Sequence, residues 1–376
     1  MKNSAKTTQF DTKGRLLSLD ALRGFDMLWI IGGSSVVSAL ATYTDAGWLK
    51  AIAGQMEHVH WNGFHFYDLI FPLFMFISGI AIPYSVKSAL SKNPSKSKLL
   101  LRFLKRMIIL VVLGMLYNGV FQDGFANARY ASVLAQIGIA YFFASVIYTF
   151  SGSVKSTLIW IAGILTGVSV MQLFIPVPGF GPGVFTPEGS INGYIDRLYL
   201  PGRLAYFNGI FDALGILSVF SAIGITLMGI IAGKILQEKT FSDYRKTGIL
   251  ALCGTVLIPL ALILSPVYPI IKVCWTTTYN MLAGGISFLL IALFYLVIDV
   301  WGYRKWSFFF RIIGMNSVFI YLLGRIVPVG VITGFFVGWI VKPMGGFGEV
   351  VTALVIVAAE WLLLWFMYKK NVFVKV

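Results

Sequence analysis

The sequence has little charge and almost no cysteine. Asp, Glu, Lys and Arg make up 12% of its 376 residues, whereas a soluble globular domain carries about 25% of them. The composition therefore excludes an ordinary soluble protein. The two cysteines, Cys253 and Cys274, form no metal-binding or redox motif. Because Cys253 lies inside a predicted helix, we expect no structural disulfide.

Long apolar runs take the place of the missing charge. Hydrophobic residues make up 58% of the chain, and runs of about 20 residues, enough to cross a bilayer, recur from end to end. The runs are continuous rather than alternating, which excludes membrane strands. We predict an all-α fold, a polytopic helical membrane protein with about ten transmembrane helices, in one transmembrane domain over residues 1–376. The predicted helices lie at roughly 24–44, 66–86, 107–122, 132–150, 156–175, 210–233, 247–265, 279–300, 312–328 and 347–368.

The basic residues predict the orientation of these helices. With the N-terminus inside, the segments between helices on the inner side hold 23 of the 30 Lys and Arg. The positive-inside rule then places both termini in the cytoplasm. The positive-inside rule thus accounts for the net charge of +15. The charge therefore does not indicate a nucleic-acid partner, and we expect none. No small-residue cleavage site follows the first apolar run, which we interpret as a retained helix rather than a signal peptide.

Two segments do not fit the helical pattern. Residues 176–208 are rich in Gly and Pro, which predicts an ordered but irregular loop on the outer side. Residues 329–346 are apolar, but they are short and interrupted by Gly, which predicts an interfacial or re-entrant piece. The two halves of the chain show no repeat of the kind common in transporters.

All three histidines fall in one short stretch, QMEHVHWNGFHFYDLIFPLF, residues 55–74. His58, His60 and His65 precede Asp68, and the predicted topology places the cluster on the outer side. A zinc site built from the three rings is one interpretation, although no carboxylate or cysteine spacing supports it. The other interpretation of His60 and His65 is that they are interfacial residues satisfied by water.

His58 is the candidate for proton transfer in this stretch. A neutral imidazole near pH 7 is the natural acceptor for a proton from an attacking amine or hydroxyl. Asp68, if the loop folds back, would orient the ring and stabilise its charged form. Periodicity alone does not establish that contact.

Other charged residues need a reason for their positions. Asp20, Arg23 and Asp26 are spaced three apart, so they share a helix face and can neutralise each other. The alternative is that Arg23 faces the entry for an anionic cytosolic ligand. Basic residues on the disfavoured outer side need ion pairs or a ligand; they are Arg129, Arg197, Arg203, Lys272 and Arg325. Asp196 next to Arg197 is expected to pair with other loop charges.

At this point the motifs resemble a known family. RLLSLDALRG, HVHWNGFHFYDLIFPLFMFISG, RYASVLAQIGIAYF, GYIDRLYL, IIKVCWTTTY and FFRIIGMNSVFIYL occur in that order over nearly the whole chain. They resemble the transmembrane acyltransferases typified by lysosomal heparan-α-glucosaminide N-acetyltransferase and its bacterial relatives. The large lumenal N-terminal domain of the lysosomal enzyme is absent from this sequence.

The resemblance implies a reaction and its residues. Family members take the acetyl group of cytosolic acetyl-CoA and transfer it to the amino group of a glucosamine on the far side of the membrane. Their active histidine precedes a Trp-Asn-Gly motif by three residues, which is His58 here, and their conserved aspartate is Asp68. We expect acetyl-CoA to contact Asp20, Arg23, Gly33, Asn316 and Ser317. We expect the acceptor to contact Trp61, Asn62, Arg129, Asp196, Arg197, Lys272 and Trp275. No metal is expected.

The sequence departs from the family pattern at three positions. Small residues, IIGGSSVV, stand where the lysosomal enzyme has a functional Asn late in the first helix. Gln136 replaces a basic residue, and Leu214 stands where an acidic residue is expected before the sixth helix. These changes point to an acceptor other than heparan.

Two function classes remain open from the sequence. The first is an acetyltransferase acting either by direct attack with His58 as base or through an acetyl-histidine. The second is a transporter of a glycan or glycan precursor without transferase activity. The expected partners are an amino-sugar or glycan acceptor and the lipid bilayer, with a homodimer left open. The expected location is the bacterial inner membrane.

Overall fold

The computed structural model describes residues 16–92 and 95–374. The regular secondary structure of this part of the chain is all helical, with three isolated β-bridges and no β-strand. The helices of its first half are α1 (Leu17–Leu28), α2 (Ser34–Thr44), α3 (Gly47–Gln55), α4 (Ile70–Lys92), α5 (Lys96–Tyr117), α6 (Val120–Asn127), α7 (Val133–Ser151) and α8 (Val154–Phe174). Those of its second half are α9 (Ile191–Tyr199), α10 (Ile216–Gln237), α11 (Asp243–Leu264), α12 (Thr277–Phe294), α13 (Ser307–Met315), α14 (Ser317–Ile326), α15 (Val329–Val341) and α16 (Gly346–Lys369). A π-helical segment, Trp29–Gly33, joins α1 to α2, and Phe66–Leu69 forms a 3-10 turn before α4.

The all-α polytopic class is confirmed, but the number of spans differs from the prediction. Eight helices of the described part are long and apolar enough to cross a membrane, and a ninth span results if α13 and α14 are counted together. Those two helices are bent by 71° at Asn316. The remaining predicted span falls in α5, whose first half carries five basic residues. The first span also begins earlier than predicted, at Leu17 instead of residue 24.

Side-chain caps fix where several helices begin. Ser132 accepts a hydrogen bond from the backbone N–H of Ala135 at the start of α7. Equivalent caps from Ser153, Ser242 and Thr276 start α8, α11 and α12. Each cap satisfies a backbone donor that would otherwise have no partner in the first turn. The caps therefore explain why these apolar runs start at defined positions.

Three helices form the centre of the bundle. In α10, α4 and α12, 83%, 72% and 67% of the residues in the most apolar stretch are buried. In α8 and α11 the corresponding fractions are 22% and 17%, so these two helices face outward. Close backbone contact joins the central pair, since a Cβ at Gly79 of α4 would lie 2.1 Å from the carbonyl oxygen of Thr226 on α10. Small residues at such crossings are typical of helices that pack in membranes.

Four loops meet at one end of the bundle, which we call the site face. They are 56–65, 118–132, 175–215 and 265–276. The Gly63 N–H donates to the Ile270 carbonyl at 2.9 Å, and the Arg203 N–H donates to the Ala128 carbonyl at 3.1 Å. Segments that are far apart in sequence therefore build one surface.

The two irregular segments differ in part from the prediction. The long loop extends to residue 215 because α10 begins at Ile216 instead of residue 210, and it contains the short helix α9. The segment 329–346 is mostly helical, as α15 and a 3-10 turn, but α15 is shorter than a transmembrane span.

Candidate active site

Asp68 folds the histidine loop back onto the bundle. Its side chain is fully buried, and one carboxylate oxygen, Oδ2, accepts the backbone N–H groups of Val59 at 3.3 Å and His65 at 3.0 Å. The other oxygen, Oδ1, lies 2.9 Å from His58 Nδ1 and accepts a hydrogen bond from Lys272 Nζ at 3.0 Å. The contact between His58 and Asp68 that the sequence left open is therefore present.

The His58 ring lies between the Asp68 carboxylate and the Lys272 ammonium group. Lys272 Nζ lies 2.6 Å from His58 Nδ1 and 3.3 Å from Nε2. A single Nδ1 cannot both donate to Asp68 and accept from Lys272, so two arrangements compete. When Nδ1–H donates to Asp68, Nε2 keeps its lone pair and can take a proton from a ligand. The His58 side chain is 55% exposed and lines the cavity, so a ligand in the cavity can approach the ring.

Lys272 is itself partly withdrawn from water. Its side chain is 18% exposed. Burial lowers the pKa of Lys272, and the charge and hydrogen bond of Asp68 oppose that shift. The lysine therefore neutralises Asp68 instead of facing solvent as a free cation.

The loop that carries Lys272 is held by its own backbone. The Trp275 N–H donates to the Lys272 carbonyl at 2.9 Å, and the Ile271 N–H donates to Thr276 Oγ1 at 3.1 Å. Trp275 takes the left-handed conformation, with φ of 49°. That conformation is costly for a bulky residue and needs support from its surroundings.

Buried side chains of neighbouring helices supply that support by donating hydrogen bonds to the backbone carbonyls of this loop. Gln172 and Asn192 both donate to the Cys274 carbonyl, at 2.8 and 3.1 Å, and Asn280 donates to the Trp275 carbonyl at 3.2 Å. Ser221 Oγ donates to the same Trp275 carbonyl at 2.6 Å. None of these four residues is predicted from the sequence. Gln172, Ser221 and Asn280 could have been found as polar residues within apolar runs, where a buried polar group must find a partner.

A cavity of about 600 Å³ lies next to the His58 ring. Its polar or titratable walls are His58, His60, Tyr67, Tyr117, Tyr206, Lys272, Ser317 and Tyr321, and most of the remaining walls are apolar residues of α1, α4, α7 and the 206–214 segment. Ser317 lies eight residues before Arg325, whose guanidinium donates to the Tyr117 carbonyl at the end of α5. The cavity therefore extends from the loops of the site face into the bundle, as far as the first residue of α14.

His60 and His65 do not join His58 at one point. His60 lines the cavity and contacts the Phe207 ring edge-on at 6.1 Å, while His65 Nδ1 lies 3.0 Å from the Glu57 carbonyl oxygen. In the part of the chain that the structure describes, no group of three His, Cys, Asp or Glu side chains is placed to hold a metal ion. The geometry does not support the zinc interpretation.

Trp61 and Asn62 have different surroundings. The Trp61 indole N–H donates to the Phe185 carbonyl, and its ring packs against Phe207 and Phe211 at 5.3 and 5.5 Å. Trp61 thus ties the histidine loop to the long 175–215 loop. Asn62 is exposed and lies outside the cavity lining.

Arg129 is engaged by a residue that the sequence analysis missed. Its guanidinium forms two hydrogen bonds with the buried carboxylate of Asp212, at 2.9 and 2.7 Å. Burial alone would lower the pKa of Arg129, but Asp212 outweighs it and raises the pKa. Leu214, where the resemblance predicts an acidic residue, lines the cavity, and Asp212 lies two positions before it.

Asp196 and Arg197 stabilise the long loop separately. Asp196 Oδ1 accepts the Ile216 N–H at the start of α10, at 2.9 Å, and burial raises the pKa of Asp196 to about 7. Arg197 donates to the backbone carbonyls of Pro187, Glu188 and Ile210. Neither residue lines the cavity.

The charged face of α1 is only partly as predicted. Asp20 and Arg23 form an ion pair at 3.6 Å. The predicted neutralisation of Asp26 is wrong, because it is 1% exposed and neither carboxylate oxygen has a hydrogen-bond partner among the described residues. Arg23, Met27 and Ile30 have helical spacing, and Met27 and Ile30 line the cavity. Arg23 therefore lies one turn beyond the cavity on the same helix face.

The other residues expected to contact the donor differ in position. Ser317 lines the cavity, as does Trp275, which we expect to contact the acceptor instead. Gly33 belongs to the π-helical segment, outside the lining, and a Cβ there would lie 2.9 Å from the Leu28 carbonyl oxygen. The Asn316 amide bonds the backbone of Val372 and Val374 at 3.2 and 2.9 Å, so it holds the C-terminal segment.

These features define a class of protein, a multi-pass membrane protein with a His–Asp–Lys cluster at the mouth of an intramembrane cavity. Residues 15–183 match a family model described as a domain of unknown function, DUF5009. The chain is also 28% identical to heparan-alpha-glucosaminide N-acetyltransferase of Mus musculus, over 85% of this chain and 56% of that protein. It is 26% identical to the protein of the same name from Homo sapiens, over 96% of this chain and 60% of that protein.

The resemblance predicted from the motifs is thus confirmed: the chain is similar to heparan-alpha-glucosaminide N-acetyltransferases along most of its length. It spans less than two thirds of the length of these relatives.

Proposed function

We propose that this protein is a transmembrane acetyltransferase that moves the acetyl group of cytosolic acetyl-CoA to the amino group of a glucosamine-type sugar on the outer side. The observation that carries the proposal is the cluster of His58, Asp68 and Lys272 beside a cavity that enters the bundle. The similarity to named N-acetyltransferases supports the reaction class.

The chemistry follows from the arrangement in which His58 Nδ1–H donates to Asp68. The amine nitrogen attacks the thioester carbonyl carbon, and Nε2 of His58 takes the proton that the nitrogen loses. The carbon–sulfur bond breaks, and the thiolate takes up that proton, so CoA leaves as the thiol. Asp68 stabilises the imidazolium that forms in between, and Lys272 keeps the buried carboxylate neutralised.

The donor is expected to enter from the side opposite the site face. Arg23 continues the Met27–Ile30 face of α1 towards that side, and a cation there suits the phosphates of CoA. Asp20 would position Arg23, and Ser317 would contact the arm of the donor in the cavity. The orientation that this requires, with both termini cytoplasmic and the site face outside a bacterial inner membrane, rests on the distribution of basic residues.

The acceptor is expected to enter from the site face. His60, Tyr206 and Phe207 border the cavity beside His58, and Trp61 and Trp275 give the aromatic surroundings that suit a sugar ring. Arg129, Asp196 and Arg197 would act on the acceptor through the loops they hold. Asn62 remains a proposed acceptor contact from the exposed side.

Radiolabelled acetyl-CoA offered to inside-out vesicles containing glucosamine tests this function. We expect labelled N-acetylglucosamine inside the vesicles from wild type and a loss of about 10²–10⁴-fold for His58→Ala, since a positioned base supplies that factor. His65→Ala is the matched control and should remain within a few-fold of wild type, because its ring contacts a backbone carbonyl outside the cluster.

Other outcomes of the same assay are informative. Protein-bound label in wild type without acceptor, absent in His58→Ala, would favour an acetyl-histidine intermediate over direct transfer. Release of glucosamine from the loaded vesicles without acetylation would instead support a transporter and contradict the proposed function.

A further inference from the structure

A second cleft adjoins the reaction cavity. It measures about 310 Å³ and lies between α5, α7 and α10. Its walls include Val111 of α5, Ile139 and Phe143 of α7, and Val219, Phe220 and Ile223 of α10. We call it the side cleft. Its exposed surface is apolar, so it suits hydrocarbon rather than a sugar or a nucleotide.

The side cleft shares a wall with the reaction cavity. Leu214 lines both spaces. Its backbone N–H donates to Asp212 Oδ1 at 3.0 Å, which holds the residue in place between the two spaces. A molecule with its polar end in the reaction cavity therefore has an apolar space next to it.

The side cleft opens towards the bilayer. Phe143 and Phe220 lie within membrane-spanning helices, and they are 42% and 51% exposed. Their exposed rings face the hydrocarbon that surrounds the bundle. An acyl chain could thus enter sideways from the leaflet next to the site face, without crossing water.

One buried polar atom lies in this apolar setting. Gln136 lines the side cleft and is 1% exposed, and its Nε2 donates to the Ser218 carbonyl at 3.1 Å. Its Oε1 has no hydrogen-bond partner among the described residues. A buried acceptor without a partner is unfavourable. A hydroxyl or amide N–H between the polar end and the chain of a ligand would supply the partner.

We propose that the acceptor is an amphiphile, an amino sugar carried on a hydrocarbon chain, with the amine beside His58 and the chain in the side cleft. The inference rests on the proposed acetyl transfer and specifies the class of its acceptor. The continuity at Leu214, the lateral opening and the unpartnered Gln136 oxygen favour a ligand chain over ordinary surrounding lipid.

The test compares free glucosamine with its methyl and octyl glycosides as acceptors, using protein in lipid nanodiscs. For wild type we expect kcat/KM to rise with chain length, by up to about fourfold per buried methylene. Val219→Phe narrows the side cleft and should lower the ratio of octyl-glycoside to glucosamine activity at least tenfold. Ala162→Phe adds the same ring to an exposed position of α8 and should leave the ratio unchanged, which controls for partition into the bilayer.

A binding measurement separates this inference from the proposed function. An octyl glucosaminide with a photoreactive group at the chain end should label peptides of α7 and α10, and Val219→Phe should remove that label. Suppose that glucosamine is acetylated, that activity does not rise with the chain length of the acceptor, and that the label is not found on α7 and α10. The inference is then wrong, while the proposed function stands. If no amine is acetylated, the proposed function fails and the labelling alone decides the site. Equal competition by phospholipid and by the amino sugar would show a lipid site only and overturn the inference.

Discussion

Replacing Asp68 by Asn tests the role of the carboxylate with almost no change in shape. An Asn oxygen can still accept the two backbone N–H groups that Asp68 Oδ2 accepts, so the loop is expected to remain folded. Its NH2 group then takes the position of Oδ1, facing His58 Nδ1 and Lys272 Nζ. In that orientation the amide donates to Nδ1, and the ring proton moves to Nε2.

A protonated Nε2 has no lone pair for the amine proton. We therefore expect kcat for acetyl transfer to fall by about 10²–10⁴-fold, which corresponds to roughly 2.7–5.4 kcal/mol at 1.36 kcal/mol per factor of ten. Acetyl-CoA binding should change little, because the expected donor contacts lie deeper in the bundle.

The assay is single-turnover transfer of labelled acetyl, with donor binding measured separately by equilibrium dialysis. Asp243→Asn is the matched control. It removes a carboxylate that also pairs with a lysine, Lys246 at 3.2 Å, but at the other end of the bundle. Asp68→Asn turning over within tenfold of wild type from pH 6 to 9 would refute the tautomer argument. A loss confined to donor binding would refute the assignment of Asp68 to the transfer step.

Two further predictions concern protonation and orientation. Burial raises the pKa of Asp196 to about 7, so its contribution to stability is present below the unfolded value near 3.8 and is lost as pH rises through 7. The thermal stability of wild type should then fall relative to Asp196→Asn between pH 4 and 7, by up to about 1.4 kcal/mol per pH unit; a constant difference would contradict this. For orientation, Glu188→Cys in the long loop should react with an impermeant thiol reagent from outside the cell, and Lys239→Cys, between α10 and α11, only after permeabilisation. Both positions are exposed, and the reversed pattern would overturn the proposed direction of transfer.

The sequence predicts those features of the structure that involve residues close together in the chain. His58 and Asp68 are ten residues apart in one motif, so the sequence suggests their contact as a hypothesis, and the structure shows it. The apolar runs likewise give the fold class, because each helix is long enough to identify by composition alone. The break at Asn316 is harder to predict, since no proline marks it and tertiary contacts with the C-terminal segment hold it.

Long-range pairs are not encoded in any local pattern. Lys272 lies 204 residues after Asp68, and Arg129 lies 83 residues before Asp212. Their partners depend on which loops meet at the site face, and helix periodicity does not specify that. Basic residues on the disfavoured side indicate only that some partner must exist. The functional roles assigned to these residues remain predictions, and the variants above test the roles of His58 and Asp68.

The depth of the cavity decides how a donor on one side can meet an acceptor on the other. A hydrocarbon core is about 30 Å thick, and the cavity beside His58 extends into the bundle as far as Met27 of α1 and Ser317 of α14. The donor therefore has to cover only the remaining distance, along the α1 face that runs from Met27 and Ile30 to Arg23. His58, whose side chain is 55% exposed, and Lys272, which pairs with Asp68, lie at the mouth of this path, where their charges are not surrounded by lipid. The thioester and the amine can then meet at His58 without either substrate crossing the whole bilayer, so acetyl transfer needs no transport of the sugar.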